Sequence, residues 1–218
     1  LTGGQMHIST SNGAITINNL SSSDSLKIDN QFGDITLEAF DADTATINSS
    51  NGKVKVTAGK LVEILEITNT FGAITVSETL AAGYDLETSN GELSLDGGSG
   101  VMTLTNNFGD ILVTQAESAS LTLKSTNGRI VFSGSLNPAS IQSIENSFGD
   151  ILLTIPADSA FDMELKTEFG EISSDLPITV SGSVNETNLK GTLNGGGQQF
   201  KATTSNGNIS LNVLAENK

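Results

Sequence analysis

The chain has 218 residues, with ten Lys and Arg against 25 Asp and Glu and a formal charge of −15. That balance argues against nucleic-acid binding by phosphate neutralisation and against anionic membrane surfaces. The absence of cysteine excludes disulfides, thiolate metal sites and cysteine nucleophiles, and no apolar run approaches the ~20 residues of a spanning helix.

From the N-terminus onward, a glycine preceded by Asn or Phe recurs every 18 to 21 residues. Asn12-Gly13, Phe32-Gly33, Asn51-Gly52, Phe71-Gly72, Asn90-Gly91, Phe108-Gly109, Asn127-Gly128 and Phe148-Gly149 alternate strictly. Phe169-Gly170 is a second Phe-Gly in succession. Asn206-Gly207 follows 37 residues later, with room for a degenerate unit between. Two residues after each glycine stand Ile15, Ile35, Val54, Ile74, Leu93, Ile111, Ile130, Ile151, Ile172 and Ile209. The columns four after and five before are apolar too, with Ser174 the exception in the former. Alternation with period two and β-branched enrichment predicts half-buried strands. Each unit reads as a strand, a glycine bend, a second strand and a connector.

Asn-Gly between such strands is a hairpin signal. Phe-Gly opposes it, because a bulky residue with positive φ is costly. A β-solenoid accommodates both, since like positions then stack between coils. The expected fold is all-β: a single-stranded right-handed parallel β-helix of about 10–11 coils of about 19–20 residues, a rod roughly 50 Å long. Residues 1–218 form one domain, with regular repeats over 1–174, an irregular segment at 175–199, and the last repeat and tail at 200–218. Three before each glycine, Asn alternates with Ser or Thr, from Thr10, Asn30 and Ser49 to Thr204. By parity this column points inward and is expected to form a hydrogen-bonded ladder, as unpartnered buried amides are expensive. The Phe beside Gly shares that parity and is expected to plug the core in alternate coils. Solenoid ends need caps. Leu1 to Gln5 are a poor one, so further sequence or a membrane anchor is expected to precede them.

The recurring Leu-x-Ile-x-Asn/Thr-x-Phe/Asn-Gly-Asp-Ile-x-Leu pattern is joined by a C-terminal signature. This runs through Ile155-Pro156-Ala157, Phe161-Asp162-Met163-Glu164-Leu165, Ser174-Asp175-Leu176-Pro177 and Gly191-Thr192-Leu193-Asn194-Gly195-Gly196-Gly197. Together these resemble the bacterial β-strand-repeat family named for adhesins, a domain-of-unknown-function class akin to GIN-type auto-transporter adhesin heads. The resemblance spans essentially the whole chain. It implies a β-helix outside the bacterial membrane or on the cell surface, and it carries no catalytic residues.

Candidate chemistry is sparse. Asp34, Glu92, Asp110, Asp150 and Glu171 follow corner glycines and could form an acidic ladder for Ca²⁺. Ala14, Lys53, Ala73, Arg129 and Asn208 interrupt it, so no metal or other cofactor is expected. Paired carboxylates for glycoside hydrolysis would arise by chance on so acidic a wall. A lyase of acidic sugars would want more cations than one Arg and nine Lys, so no enzyme is expected. His7 reads as an exposed bystander. Lys124, Glu145 and Lys166 are expected on successive strands, where opposite charges support the register. Leu112, Val131 and Leu152 are consecutive apolar members of an outward column, a possible interaction patch. Either residues 175–199 cover it or a partner does. The expected role is a non-enzymatic, extracytoplasmic adhesin or scaffold binding a cell-surface glycan or protein along its wall. The alternatives are an envelope-associated structural or regulatory module with a protein partner and, third, a carbohydrate-active enzyme. The expected membrane link is only an anchor outside this sequence; the oligomeric state is left open.

Overall fold

A computed structural model describes residues 4–181 and 185–215. Nineteen strands and no helix occur among them. The first nine are β1 (Gln5–Thr10), β2 (Ile15–Phe32), β3 (Ile35–Asn51), β4 (Val54–Leu61), β5 (Ile64–Phe71), β6 (Ile74–Ser77), β7 (Gly83–Asn90), β8 (Leu93–Asp96) and β9 (Ser99–Phe108). Next come β10 (Ile111–Asn127), β11 (Ile130–Leu136), β12 (Gln142–Phe148), β13 (Ile151–Ile155) and β14 (Phe161–Phe169). The last five are β15 (Ile172–Ser174), β16 (Ile178–Val180), β17 (Asn188–Leu193), β18 (Gln199–Asn206) and β19 (Ile209–Val213).

These strands build a parallel β-solenoid. Among the described residues no strand pairs across an Asn-Gly bend; apart from β16 and β17, each pairs in parallel with its counterpart one coil on. Ile15, Ile35, Val54, Ile74, Leu93, Ile111, Ile130 and Ile151 therefore stand in one register. The alternation turns one side of every strand into a common interior. All eight of these residues are buried.

The glycines are required twice over. Nine of the ten corner glycines have positive φ, from 114° at Gly13 to 151° at Gly207; Gly170 is the exception. From Gly33 onward, a Cβ would also collide with the carbonyl of the corner glycine one coil away. A second corner lies six residues beyond the first. There Asn19, Ala39, Ala58, Glu78 and Gln115 take φ between 50° and 56°, and Gly97 and Gly134 occupy the same place. Its residue types share no pattern, so periodicity could not reveal it.

Large core side chains fill space that small ones vacate in the next coil. The Phe40 ring lies where Gly59 would carry a Cβ, and Tyr84 does the same at Gly98. The Tyr84 hydroxyl donates to the Thr79 carbonyl at 2.6 Å. Gln142, fully buried, accepts from the Leu121 N–H at 2.7 Å and donates to the carbonyls of Asn137 and Ser140. It thereby satisfies a core amide.

The chain climbs in order through seven turns, from Gly13 to Gly149. Then the order changes. Strand β18 lies between β12 and β14, and β19 between β13 and β15. Ala202 thus pairs with both Ile144 and Leu165. The repeat expected last, at 200–218, is spatially the ninth of ten coils. The 161–174 coil is the tenth. The irregular segment, which had room for a degenerate coil, closes the end, β17 pairing antiparallel with β14 and β16 with β17. Leu176 and Leu193 are buried there. The inserted strand also corrects the expected charge alternation. Lys124 neighbours Glu145, but Thr203 separates Glu145 from Lys166.

Candidate functional site

At each corner, two amides keep the ladder. The glycine N–H donates to the next coil, as Gly13 to the Phe32 carbonyl at 2.8 Å, and so does the residue two on, as Ile15 to the Asp34 carbonyl at 2.9 Å. The peptide between them is turned out of the ladder, so its two polar groups need side chains. The inward polar column supplies one set. Asn30 Nδ2 donates to the carbonyls of Gly13 and Gly33, Asn69 to Gly52 and Gly72, and Asn146 to Gly128 and Gly149, at 2.9–3.2 Å. Thr88, Thr204 and Thr167 hydroxyls donate to Gly72, Gly149 and Gly207. These amide nitrogens and threonine hydroxyls thus bond to glycine carbonyls rather than side chain to side chain, while the Ser49 and Ser125 hydroxyls and the Oδ1 atoms of Asn30, Asn69 and Asn146 are buried without a hydrogen-bond partner among the described residues.

The corner carboxylates supply the other set. Asp34, Asp110 and Asp150 accept the backbone N–H of Lys53, Arg129 and Asn208, each at 2.8 Å, and Asn208 accepts that of Glu171. Burial raises the Asp110 pKa. The backbone and guanidinium hydrogen bonds and the charge of Arg129 outweigh this and hold it below 3.8. No cluster of three or more potential His, Cys, Asp or Glu metal ligands exists among the described residues. His7 has a partner that sequence reasoning missed. The register sets it two residues from Asp29 on the next strand, and Nε2 lies 2.6 Å from Asp29 Oδ2.

The expectation of phenylalanine plugs is overturned. Phe32, Phe71, Phe108 and Phe148 are 51–54% exposed, and Phe169 is 72% exposed. The interior at the corner is filled by the amide or hydroxyl three residues before Gly and the glycine carbonyl, which leaves the ring outside. A signal existed in the sequence. A position that takes Asn and Phe in alternation is not a core position, since a buried Asn there would have to be paid for by partners each time.

The outer corner is therefore a single edge in strict register: Phe32, Asn51, Phe71, Asn90, Phe108, Asn127, Phe148, Asn206 and Phe169. Insertion of β18 places Asn206 between Phe148 and Phe169. The alternation that breaks in the chain is whole in space. Beside this edge runs the outer wall of hydroxyl and amide side chains. Near the first coils it forms a shallow groove of about 230 Å³ lined by Ser9, Ser11, Asp29, Gln31, Asn48 and Ser50 among others.

Leu112, Val131 and Leu152 do stack in register, with Ser210 next. Leu152 is 36% exposed and the other two are half-buried. Within the segment expected to be irregular at 175–199, β17 pairs with the end strand β14 and β16 with β17; residues 182–184 lie outside the described residues.

The Toastrack DUF4097 family model matches residues 1–100 and 99–212. No curated protein and no solved structure matches the chain.

Proposed function

The chain belongs to the Toastrack DUF4097 family, and on that premise we propose that it is a non-enzymatic adhesin or scaffold of the bacterial cell exterior that binds a glycan along its wall. One observation carries this reading: the register sets a hydroxyl or amide side chain beside the corner at nine coils, from Ser11 and Gln31 to Ser147 and Ser205, about 4.8 Å apart, with Glu168 at the last coil. A polymer laid along the rod meets the same chemistry at every step, and many weak contacts add. No residue takes a catalytic role in this reading. The test is binding of the purified domain to cell-wall and host glycans, with and without calcium. The reading expects saturable binding to one glycan class that free sugar competes away. A flat response across all of them overturns it.

A second reading rests on the Leu112, Val131 and Leu152 stack, which suits an apolar contact with an envelope protein. Leu152→Lys should then abolish crosslinking to that protein on intact cells, with the circular dichroism spectrum unchanged. Crosslinking that survives the substitution removes this reading. Extracytoplasmic placement predicts that protease added to intact cells cleaves the domain.

A further inference from the structure

We infer that the Phe–Asn edge is the stacking surface for a neutral β-linked polysaccharide, each ring taking every second sugar. This rests on the glycan reading above and assigns it a ligand class and a surface. Five rings stand on alternate coils, so neighbouring rings are about 9.6 Å apart and the edge runs about 38 Å. In an extended β-1,4-linked chain, alternate sugars present the same face at about that interval. An α-linked chain coils and loses the match. Sugar rings present an apolar C–H face that packs on an aromatic ring and polar hydroxyls at their rims. Between the rings, the edge offers what those rims require: the side-chain amides of Asn51, Asn90, Asn127 and Asn206, in register with the rings, form no hydrogen bond among the described residues.

Charge selects among glycans. The outward column beside the edge is Ser11, Gln31, Ser50, Thr70, Ser89, Asn107, Thr126, Ser147 and Ser205, with Glu168 its one charge at the last coil. On a chain of charge −15, this strip is neutral up to its last coil. The other flank is net acidic: Asp34, Glu92, Asp110, Asp150 and Glu171 outnumber Lys53 and Arg129, and Arg129 is already held by Asp110 at 2.7 Å, so uronates and phosphates meet net repulsion there.

A second copy of the chain fits the edge less well. Half-exposed rings offer roughly 100 Å² each, about 500 Å² in all, and amides interrupt them. A stable dimer buries about 800 Å² per partner around a continuous apolar centre, and two such acidic chains repel each other.

Calorimetric titration with cellohexaose, chitohexaose, maltohexaose and polygalacturonate tests the assignment. One or both β-1,4 hexaoses should bind, more tightly than the matching tetraoses, and the other two glycans should not. Phe71→Ala and Phe108→Ala should each weaken binding about tenfold, while Leu152→Lys leaves it unchanged. Phe108→Leu keeps apolar cover at the corner and removes the ring, so it should weaken binding without moving the melting temperature. Binding of any glycan that survives these ring substitutions overturns this inference and leaves the wall reading standing. Failure of every glycan overturns both. Rings whose loss changes the sedimentation coefficient instead of sugar affinity identify a second copy as the occupant and overturn the assignment.

Discussion

Glycine at the corner is decided by one missing atom, and the stack makes that testable. At Gly91, a side chain meets both a φ of 137° and the Gly72 carbonyl. At Gly13, in the first coil, the same change meets open space and only the φ strain. Gly91→Ala should therefore cost about 3 kcal/mol or more and Gly13→Ala clearly less, compared by urea denaturation. Equal losses would show that φ alone sets the requirement. The corner aspartate gives a second residue-scale test. Asp110 sits below its ordinary 3.8 because Arg129 favours its charged form against the effect of burial. A depressed carboxylate adds stability above its unfolded pKa and loses it as pH falls through the folded one. Asp110→Ala should lower the urea midpoint at pH 7, and the gap to the parent should close as pH falls below 3.8.

Between strands, the register decides which charges meet. Glu66 and Asp85 are directly paired on β5 and β7. Burial and then repulsion from Glu66 raise the Asp85 pKa. A raised carboxylate binds its proton more tightly in the folded state, so it opposes folding at neutral pH and ceases to do so as pH falls. Asp85→Asn should raise the melting temperature at pH 7 by the equivalent of a few tenths of a kcal/mol, since water screens an exposed group. At pH 3 it should leave the temperature unchanged. A stabilisation that persists at pH 3 would trace to strand preference rather than charge. The same registers set Asp29 beside His7 on β1 and Asn48 on β3, neighbours no linear pattern shows, and Lys27, two residues back on the same strand, completes the group.

Over the whole molecule, the end of the solenoid depends on a strand that arrives last. Nearest-neighbour coils carry most of a solenoid's stability, and β18–β19 is the neighbour of both adjoining coils. Removing residues 199–215 should strip hydrogen-exchange protection from β12–β15 and leave β3–β8 protected. Unchanged protection in β12–β15 would show that the tenth coil docks directly on the eighth. The insertion also keeps the outer edge alternating, since without it Phe148 and Phe169 would be neighbours.

The spacing and alternation of residues alone settle the solenoid, its repeat, the inward aliphatic and Asn/Ser/Thr columns and the need for glycine. All follow from period-two burial and backbone sterics, which act within one coil. They also fix the stacked Leu112, Val131 and Leu152, because a shared offset from glycine survives any regular stacking. Three matters waited for the tertiary structure. The order of the last coils is a choice among equivalent partners: Ile209 can pair with Ile151 or Ile172, and in fact pairs with both. The outward Phe edge depends on how the corner rotates the residue before glycine, which parity along a straight strand misstates. The tasks of the corner carboxylates and inner amides arise from one peptide turned out of the ladder, whose orphaned groups exist only once neighbouring coils are in place.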